Sequence, residues 1–298
     1  MSADLLARAQ DILSRAGTEG VRGKVVVIKV GGASIADETV LAHLAEDLVV
    51  LKLMGTKPVV VHGGGPDITA RMKAAGLPVE FVRGLRVTSE EAIRIVREVL
   101  VDTNNRALVE AINAHGDHAV GLSGDRDNLV RAKVLDPALG RVGDVTGVDA
   151  DALARILGEG RIPVIACLGT GEDGGSLNIN ADLVAAELAR AIRGEIVLFL
   201  TDVDGLYRNF PNKDSIIAEL PVEEAERLLA SGALGAGMAP KIDACVRVIR
   251  AGAERARIVN AKRAGALLSE FEPSAITGTR VVAKATGELK ISTEKGAN

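Results

Sequence analysis

The chain has 298 residues, 47% of them hydrophobic and 26% charged, with a net charge of −4. That size and balance suit a globular α/β protein, as one large domain or two lobes sharing a sheet, and the lack of a basic stripe argues against nucleic acid as a partner. No run approaches the roughly 18 apolar residues that span a bilayer, and the N-terminus shows no secretory pattern, so no membrane partner is expected and the protein reads as cytoplasmic.

Residues 5–16 read as an amphipathic helix with Leu5, Leu6, Ala9, Ile12 and Leu13 on one stripe. It either caps the sheet or packs on another subunit. Val25–Val30 is a β-branched run ending at Gly31-Gly32. Lys29 in that run is costly unless its ammonium reaches water or an anion. It reads as an anion site beside glycine amides, or as a lysine snorkelling at a strand end. Glu38–Leu53 has helical spacing. The run 58–61 leads into His62-Gly63-Gly64-Gly65-Pro66, where Pro66 suits a first helical turn. Unpaired amides there can bind phosphate or carboxylate, or the glycines form a tight turn without a ligand. The glycines carry the signal, and His62 reads as satisfying a backbone group. In the loop 83–88, Arg86 can grip a carboxylate bidentately or stand as an exposed charge.

Further strand-like runs at 119–122 and 163–167 end in Ser123-Gly124 and Leu168-Gly169. The glycine-rich stretch 166–180 reads as a flexible loop or hairpin. Asn178-Ile179-Asn180-Ala181-Asp182 precedes a helix over 183–192. Asn180 or Asp182 is its N-cap, or the amides bind substrate while Asp182 positions nearby lysines. The run 196–200 ends in Thr201-Asp202, and 257–259 ends at Asn260. Gly237-Met238-Ala239-Pro240-Lys241 opens a helix over 242–251. A lysine in a first turn opposes the helix dipole, a local violation of the kind a functional site shows. Cys167 and Cys245 sit in apolar stretches and read as buried hydrophobes. The tail beyond Gly278-Thr279 lacks periodicity and reads as partly disordered.

Continuous apolar runs alternating with helices predict a mainly parallel sheet covered on both faces. Ligands in such folds bind beyond the carboxyl ends of the strands, where the Gly-, Ser- and Asp-rich turns fall. Gly169-x-Gly171-x-x-Gly174 matches a dinucleotide string but does not open a helix, so a dehydrogenase is set aside. There is no Walker A string, and no His, Cys and carboxylate set has metal-site spacing.

Taken in order, Lys29-Val-Gly-Gly, His62-Gly-Gly-Gly-Pro, Gly84-Leu-Arg-Val-Thr, Val120-Gly-Leu-Ser-Gly, Asn178-Ile-Asn-Ala-Asp, Leu200-Thr-Asp-Val-Asp-Gly and Gly237-Met-Ala-Pro-Lys241 resemble the amino acid kinase superfamily, specifically the N-acetylglutamate kinases. The resemblance covers about residues 24–280. It implies a three-layer α/β/α sandwich on a mainly parallel open sheet, with residues 1–22 as an added helix and linker, 23–192 as the amino-acid lobe and 193–298 as the nucleotide lobe. The implied reaction is transfer of a phosphoryl group from ATP, with Mg²⁺ carried on the nucleotide and no protein metal site, to the side-chain carboxylate of N-acetyl-L-glutamate. By position, Lys29 and Lys241 resemble the lysines that stabilise the transferring group, and Asp182 the residue that orients both. Gly64, Gly65, Arg86 and Asn178 resemble contacts to N-acetyl-L-glutamate. Gly31 and Gly32 resemble phosphate-loop amides, and Thr201, Asp202, Gly205, Tyr207, Gly237 and Met238 are expected around the nucleotide.

The helix at 5–16 is similar to one that joins dimers into hexamers in arginine-inhibited members, so a homo-oligomer is expected. It carries no tyrosine, Ala33-Ser34 stands for the usual Asn-Ala, Gly265 for a histidine and Ile276-Thr277 for Gly-Ile, although Glu270 is kept. An arginine effector is therefore the part of the family pattern these residues match least. Two alternatives stay open: a kinase of the same superfamily acting on a carrier-protein-linked aminoadipate or glutamate, and a non-catalytic amino-acid sensor, which would lack the two lysines.

Overall fold

The computed structural model describes residues 3–16, 21–209, 212–235, 237–271 and 277–284. The chain opens with α1 (Ala3–Ala16), β1 (Val25–Val30), α2 (Gly32–Ala36), α3 (Glu38–Leu53), β2 (Lys57–His62) and α4 (Gly65–Ala74). A hairpin of β3 (Phe81–Val82) and β4 (Leu85–Arg86) precedes α5 (Glu90–Arg97), an eight-residue π-helical segment (Glu98–Asn105) and α6 (Arg106–Asn113). Then follow β5 (Ala119–Ser123), β6 (Val130–Val134), β7 (Gly143–Val148), α7 (Ala150–Gly158), β8 (Ile162–Ala166), β9 (Leu168–Thr170), β10 (Ser176–Asn178) and α8 (Ala181–Ile192). The remainder holds β11 (Ile196–Thr201), β12 (Glu219–Pro221), α9 (Val222–Ser231), α10 (Ala239–Arg250), β13 (Arg255–Asn260) and β14 (Thr279–Val282).

Among the described residues, eight strands form one sheet in the order β12-β14-β13-β11-β1-β2-β8-β5. All six strands expected from the apolar runs lie in it side by side and parallel. The antiparallel β13–β14 pair makes the sheet mixed at one end. A second sheet, ordered β10-β9-β6-β7, was not anticipated, apart from the β9–β10 hairpin that occupies the glycine-rich stretch. The tail expectation is corrected in part. Residues 279–282 form β14, whose Val281 is fully buried between β13 and β12, while residues 285–298 lie outside the described residues.

Two cores flank the main sheet, because successive strand residues point to opposite faces. Val26, Ile28 and Val30 of β1 join α1, α3 and α6 on one face. Val27 faces the other core with α4, α5, α8 and α10. Lys29 is two residues from Val27, so its side chain leaves the strand on the α8 face. Helix α1 spends its stripe within its own chain: Leu5, Ala9 and Ile12 are buried in the same core as Leu44, Leu48 and Leu51 of α3. No helix among the described residues is long and apolar enough to cross a membrane.

Candidate functional site

The carboxyl end of β1 and the starts of α8 and α10 bring the two lysines to one carboxylate. Lys29 Nζ forms an ion pair with Asp182 Oδ1 at 2.9 Å, and Lys241 Nζ approaches Asp182 Oδ2 at 3.3 Å. Lys29 is 8% exposed and Asp182 4%. Asn180 settles the capping alternatives: its Oδ1 accepts from the amides of Asp182 and Leu183 at 2.8 and 3.3 Å. Asn180 is thus the N-cap of α8, and the Asp182 carboxylate is left for the lysines. Burial works to raise the Asp182 pKa, but Lys29 and Lys241 together hold it below the usual carboxylate range. Lys241 follows Pro240 in the first turn of α10 and also donates to the carbonyl of Gly237 at 3.2 Å.

The glycine loops after β1 and β2 touch backbone to backbone. A Cβ on Gly32 would lie 2.7 Å from Gly64 Cα and 2.9 Å from Gly65 N. Gly31 N-caps the short α2, and Pro66 sits in the first turn of α4. Among the described residues, the amides of Gly64 and Gly65 donate to no protein acceptor. Unpaired amides at a helix start are ready donors to an anion.

Gly64 and Gly65 line a cavity of about 200 Å³ together with Phe81, Arg86, Asn178 and Ala181. Arg86 arrives on a hairpin whose two-residue turn, Arg83 at φ 50° and Gly84 at φ 80°, has the left-handed geometry that such turns favour. Its guanidinium is buried and donates to Gly65 O at 2.9 Å and Thr69 Oγ1 at 2.7 Å. Burial lowers its pKa. It has no carboxylate partner among the described residues, which leaves a buried cation beside an open cavity. Asn178 Nδ2 donates to Thr88 Oγ1 at 3.1 Å, and Thr88 in turn donates to Arg86 O at 2.8 Å. No motif marks Phe81 or Cys167 as part of the wall. Phe81 stacks over Arg86 at 4.7 Å while 54% exposed, and Cys167 lines the wall as a thiol whose pKa burial pushes up to about 12.

A larger, mostly apolar cavity of about 490 Å³ is lined by the segment after β11, by α9 and by the connection from α9 to α10. Gly205, Tyr207 and Met238 line it, with Leu206, Ile217 and Leu234 supplying apolar walls that no motif marks. Gly205 at φ 146° packs so closely that a Cβ would meet Thr279 Oγ1 at 2.7 Å. Tyr207 donates to Asp204 Oδ2 at 3.2 Å. Thr201 and Asp202 lie at the end of β11 rather than in the lining, hydrogen-bonded to each other at 3.2 Å. Gly237 contributes its carbonyl to Lys241 rather than a wall. Met238, three residues before Lys241, lines this cavity, and Ala181, next to Asp182, lines the first.

Glu270 is 1% exposed at its side chain and already paired, with Arg257 at 2.9 Å and Arg255 at 3.1 Å. Among the described residues, no group of three or more His, Cys, Asp or Glu side chains could hold a metal ion.

The amino acid kinase family matches residues 24–260. The acetylglutamate kinase of Saccharopolyspora erythraea is 42% identical over 273 residues, covering 89% of each chain. That of Bifidobacterium animalis subsp. lactis is 43% identical over 279 residues, covering 91% of each. Among solved structures, an N-acetylglutamate synthase from Neisseria gonorrhoeae, complexed with coenzyme A and N-acetyl-glutamate, superposes with a TM-score of 0.80 at 24% identity. That likeness covers 96% of this chain and 64% of the synthase chain, and it shows the fold alone.

Proposed function

The chain belongs to the amino acid kinase family, and from that premise we propose how it acts as an acetylglutamate kinase, transferring a phosphoryl group from ATP to the side-chain carboxylate of N-acetyl-L-glutamate. The observation that carries the mechanism is the bridge Lys29–Asp182–Lys241, in which two ammonium groups share one buried carboxylate. Residues 23–192 supply the acceptor lobe and 193–298 the nucleotide lobe, so each lysine comes from a different lobe.

The attacking carboxylate is ionised at neutral pH, so no general base is required. What remains is to align two anions and to neutralise charge on the transferring oxygens. Lys29 and Lys241 provide that charge, and Asp182 holds their ammonium groups in register while no substrate is bound. The amides of Gly31, Gly32, Gly64 and Gly65 add fixed dipoles that need no reorganisation. Arg86 takes the other carboxylate of the acceptor, in keeping with a buried guanidinium that has no acidic partner among the described residues. Asn178, oriented by Thr88, donates to an acceptor oxygen. Around the nucleotide, Gly205, Tyr207 and Met238 contact the base side of ATP, and Thr201, Asp202 and Gly237 lie nearer the phosphates. The divalent ion belongs to the substrate, as MgATP. The enzyme works in the cytoplasm, where its nucleotide is.

The synthase-like sensor reading is disfavoured because both lysines are present and paired to one carboxylate. Arginine control is disfavoured too, since Glu270 already holds two guanidinium groups of its own chain. The stripe of α1 is covered by α3 of the same chain, so hexamer formation would have to use its outer face.

An ADP-release assay with N-acetyl-L-glutamate, N-acetyl-L-aspartate and free glutamate tests the substrate. N-acetyl-L-glutamate must be preferred, and Lys29→Ala and Lys241→Ala must each lose on the order of 10²–10³ in rate. Equal turnover of the three acceptors would remove the substrate assignment, and full activity in either lysine variant would remove the mechanism.

A further inference from the structure

His62 ends β2 with 0% exposure, next to the glycine loop but outside the cavity lining. Its Nε2 lies 3.0 Å from Asn105 Nδ2, and its Nδ1 lies 3.2 Å from the carbonyl oxygen of Gly63. The same Asn105 Nδ2 lies 2.9 Å from Val164 O and, more loosely, 3.4 Å from Leu122 O. A carbonyl can only accept, so the NH₂ group of Asn105 must face it and cannot trade places with Oδ1. That nitrogen therefore donates to His62 Nε2, which must carry the lone pair. The ring hydrogen then sits on Nδ1 and is donated to Gly63 O. Burial lowers the His62 pKa to about 4, against the opposing pull of the Gly63 carbonyl, so the ring is neutral near pH 7.

The Gly63 carbonyl and the Gly64 N–H belong to one planar trans peptide and point in opposite directions. A ring that holds the carbonyl turns the Gly64 N–H away from His62. Gly64 lines the acceptor cavity, and its amide has no protein acceptor among the described residues. The surroundings are cut to fit this relay. A Cβ on Gly121 of the neighbouring β5 would stand 2.3 Å from Asn105 Oδ1. A Cβ on Gly64 would stand 3.0 Å from Leu100 and 3.3 Å from Asn104. Leu100, Asn104 and Asn105 all belong to the π-helical segment, a rare conformation that recurs at functional sites.

We propose that Asn105 and His62 are positioning residues that fix the Gly63–Gly64 peptide plane, so that the Gly64 N–H points at the anionic group of the bound acceptor. The kinetic part rests on the acetylglutamate kinase reading; the tautomer does not.

The test labels the histidines of the full chain with ¹⁵N and reads long-range ¹H–¹⁵N spectra. The signal lost in His62→Asn should show a neutral ring protonated on Nδ1, unchanged between about pH 6 and about pH 8. His62→Ala should lose roughly 10- to 10²-fold in kcat with the KM for ATP held within about twofold, since it misdirects one donor. His62→Asn, whose amide nitrogen reaches the Nδ1 position, should recover most of that loss. A ring protonated on Nε2, or an imidazolium at neutral pH, overturns the proposal by itself. So does an equal kcat loss in the two variants that tracks their loss of thermal stability. Failure of the wild type to turn over N-acetyl-L-glutamate would strike the functional reading instead, and the tautomer would still decide the relay.

Discussion

Asp182→Asn tests the bridge with the least change of shape. The substitution keeps the size of the side chain and removes the charge that two ammonium groups share at 2.9 and 3.3 Å. Asp182 is 4% exposed, so little solvent screening intervenes. Removing one partner of a buried ion pair leaves uncompensated charge and costs about 3–5 kcal/mol. Spread over a chain of 298 residues, that is roughly 5–8 °C in Tm. Turnover should fall as well, because the lysines then repel each other before the phosphoryl group arrives. The pH dependence has a definite sign. The folded-state pKa lies below the ordinary 3.8, so the bridge stabilises fully above that value and the contribution is lost as pH falls through the lower folded pKa. Wild type and variant should therefore converge in stability in acid. The assays are thermal unfolding across pH and steady-state ADP release. Adding Lys241→Met should cost less in the Asp182→Asn background than alone, by about 0.5–3 kcal/mol of coupling. Strict additivity, or a variant with wild-type Tm and kcat, would show that the carboxylate neither holds nor aligns the lysines.

Arg86→Ala should raise the KM for the acylated amino acid by about 10- to 10²-fold, the worth of hydrogen bonds to a charged group, and leave the KM for ATP nearly unchanged; an effect on ATP alone would contradict its placement. Gly32→Ala puts a Cβ 2.7 Å from the backbone of Gly64, so the loops must part, at a cost of about 1–3 kcal/mol and a fall in kcat; retained activity in the kinetic assay would deny that their contact matters. Asp47 on α3 pairs with Arg8 of α1 at 2.8 Å, yet burial outweighs the arginine and raises its pKa to about 6. A raised carboxyl pKa means that stability is lost as pH climbs from about 4 to about 6, on the order of 3 kcal/mol. Asp47→Asn should flatten that decline and unfold no earlier than wild type at pH 8, as read by thermal melts.

The parts of the fold visible in the sequence were those where one local signal decides. Val25–Val30 and Ile196–Thr201 are buried on both faces of a parallel sheet, so an unbroken β-branched run is the pattern they must show. Glu38–Leu53 coincides with its observed helix because Asp37 caps it, accepting from the amides of Thr39 and Val40. The second sheet was hidden because β6 and β7 are half exposed, with Arg131, Lys133 and Asp144 diluting the apolar alternation. Strand β14 is silent in the sequence, since four residues carry no period and its pairing partners β12 and β13 lie elsewhere in the chain. The π-helical segment continues α5 without a side-chain cap, so no local signal marks where it begins.

The candidate site divides along the same line. Glycine loops and first-turn residues announce themselves, because Gly64, Gly65 and Pro66 are chosen for what the backbone must do there. Charged side chains do not. Lys29 reads equally well as a snorkelling lysine until the alternation of β1 puts it under α8, and Lys241 reads as a poor helix start until Asp182 stands opposite. Each is locally unfavourable, and the two unfavourable choices cancel only when the chain is folded. His62 shows the reverse case. Read alone it satisfies a backbone carbonyl, and that is what it does; the consequence lies one peptide plane away, at the Gly64 amide. A residue's partner was within reach of the sequence, but the direction in which the partner then points required the fold.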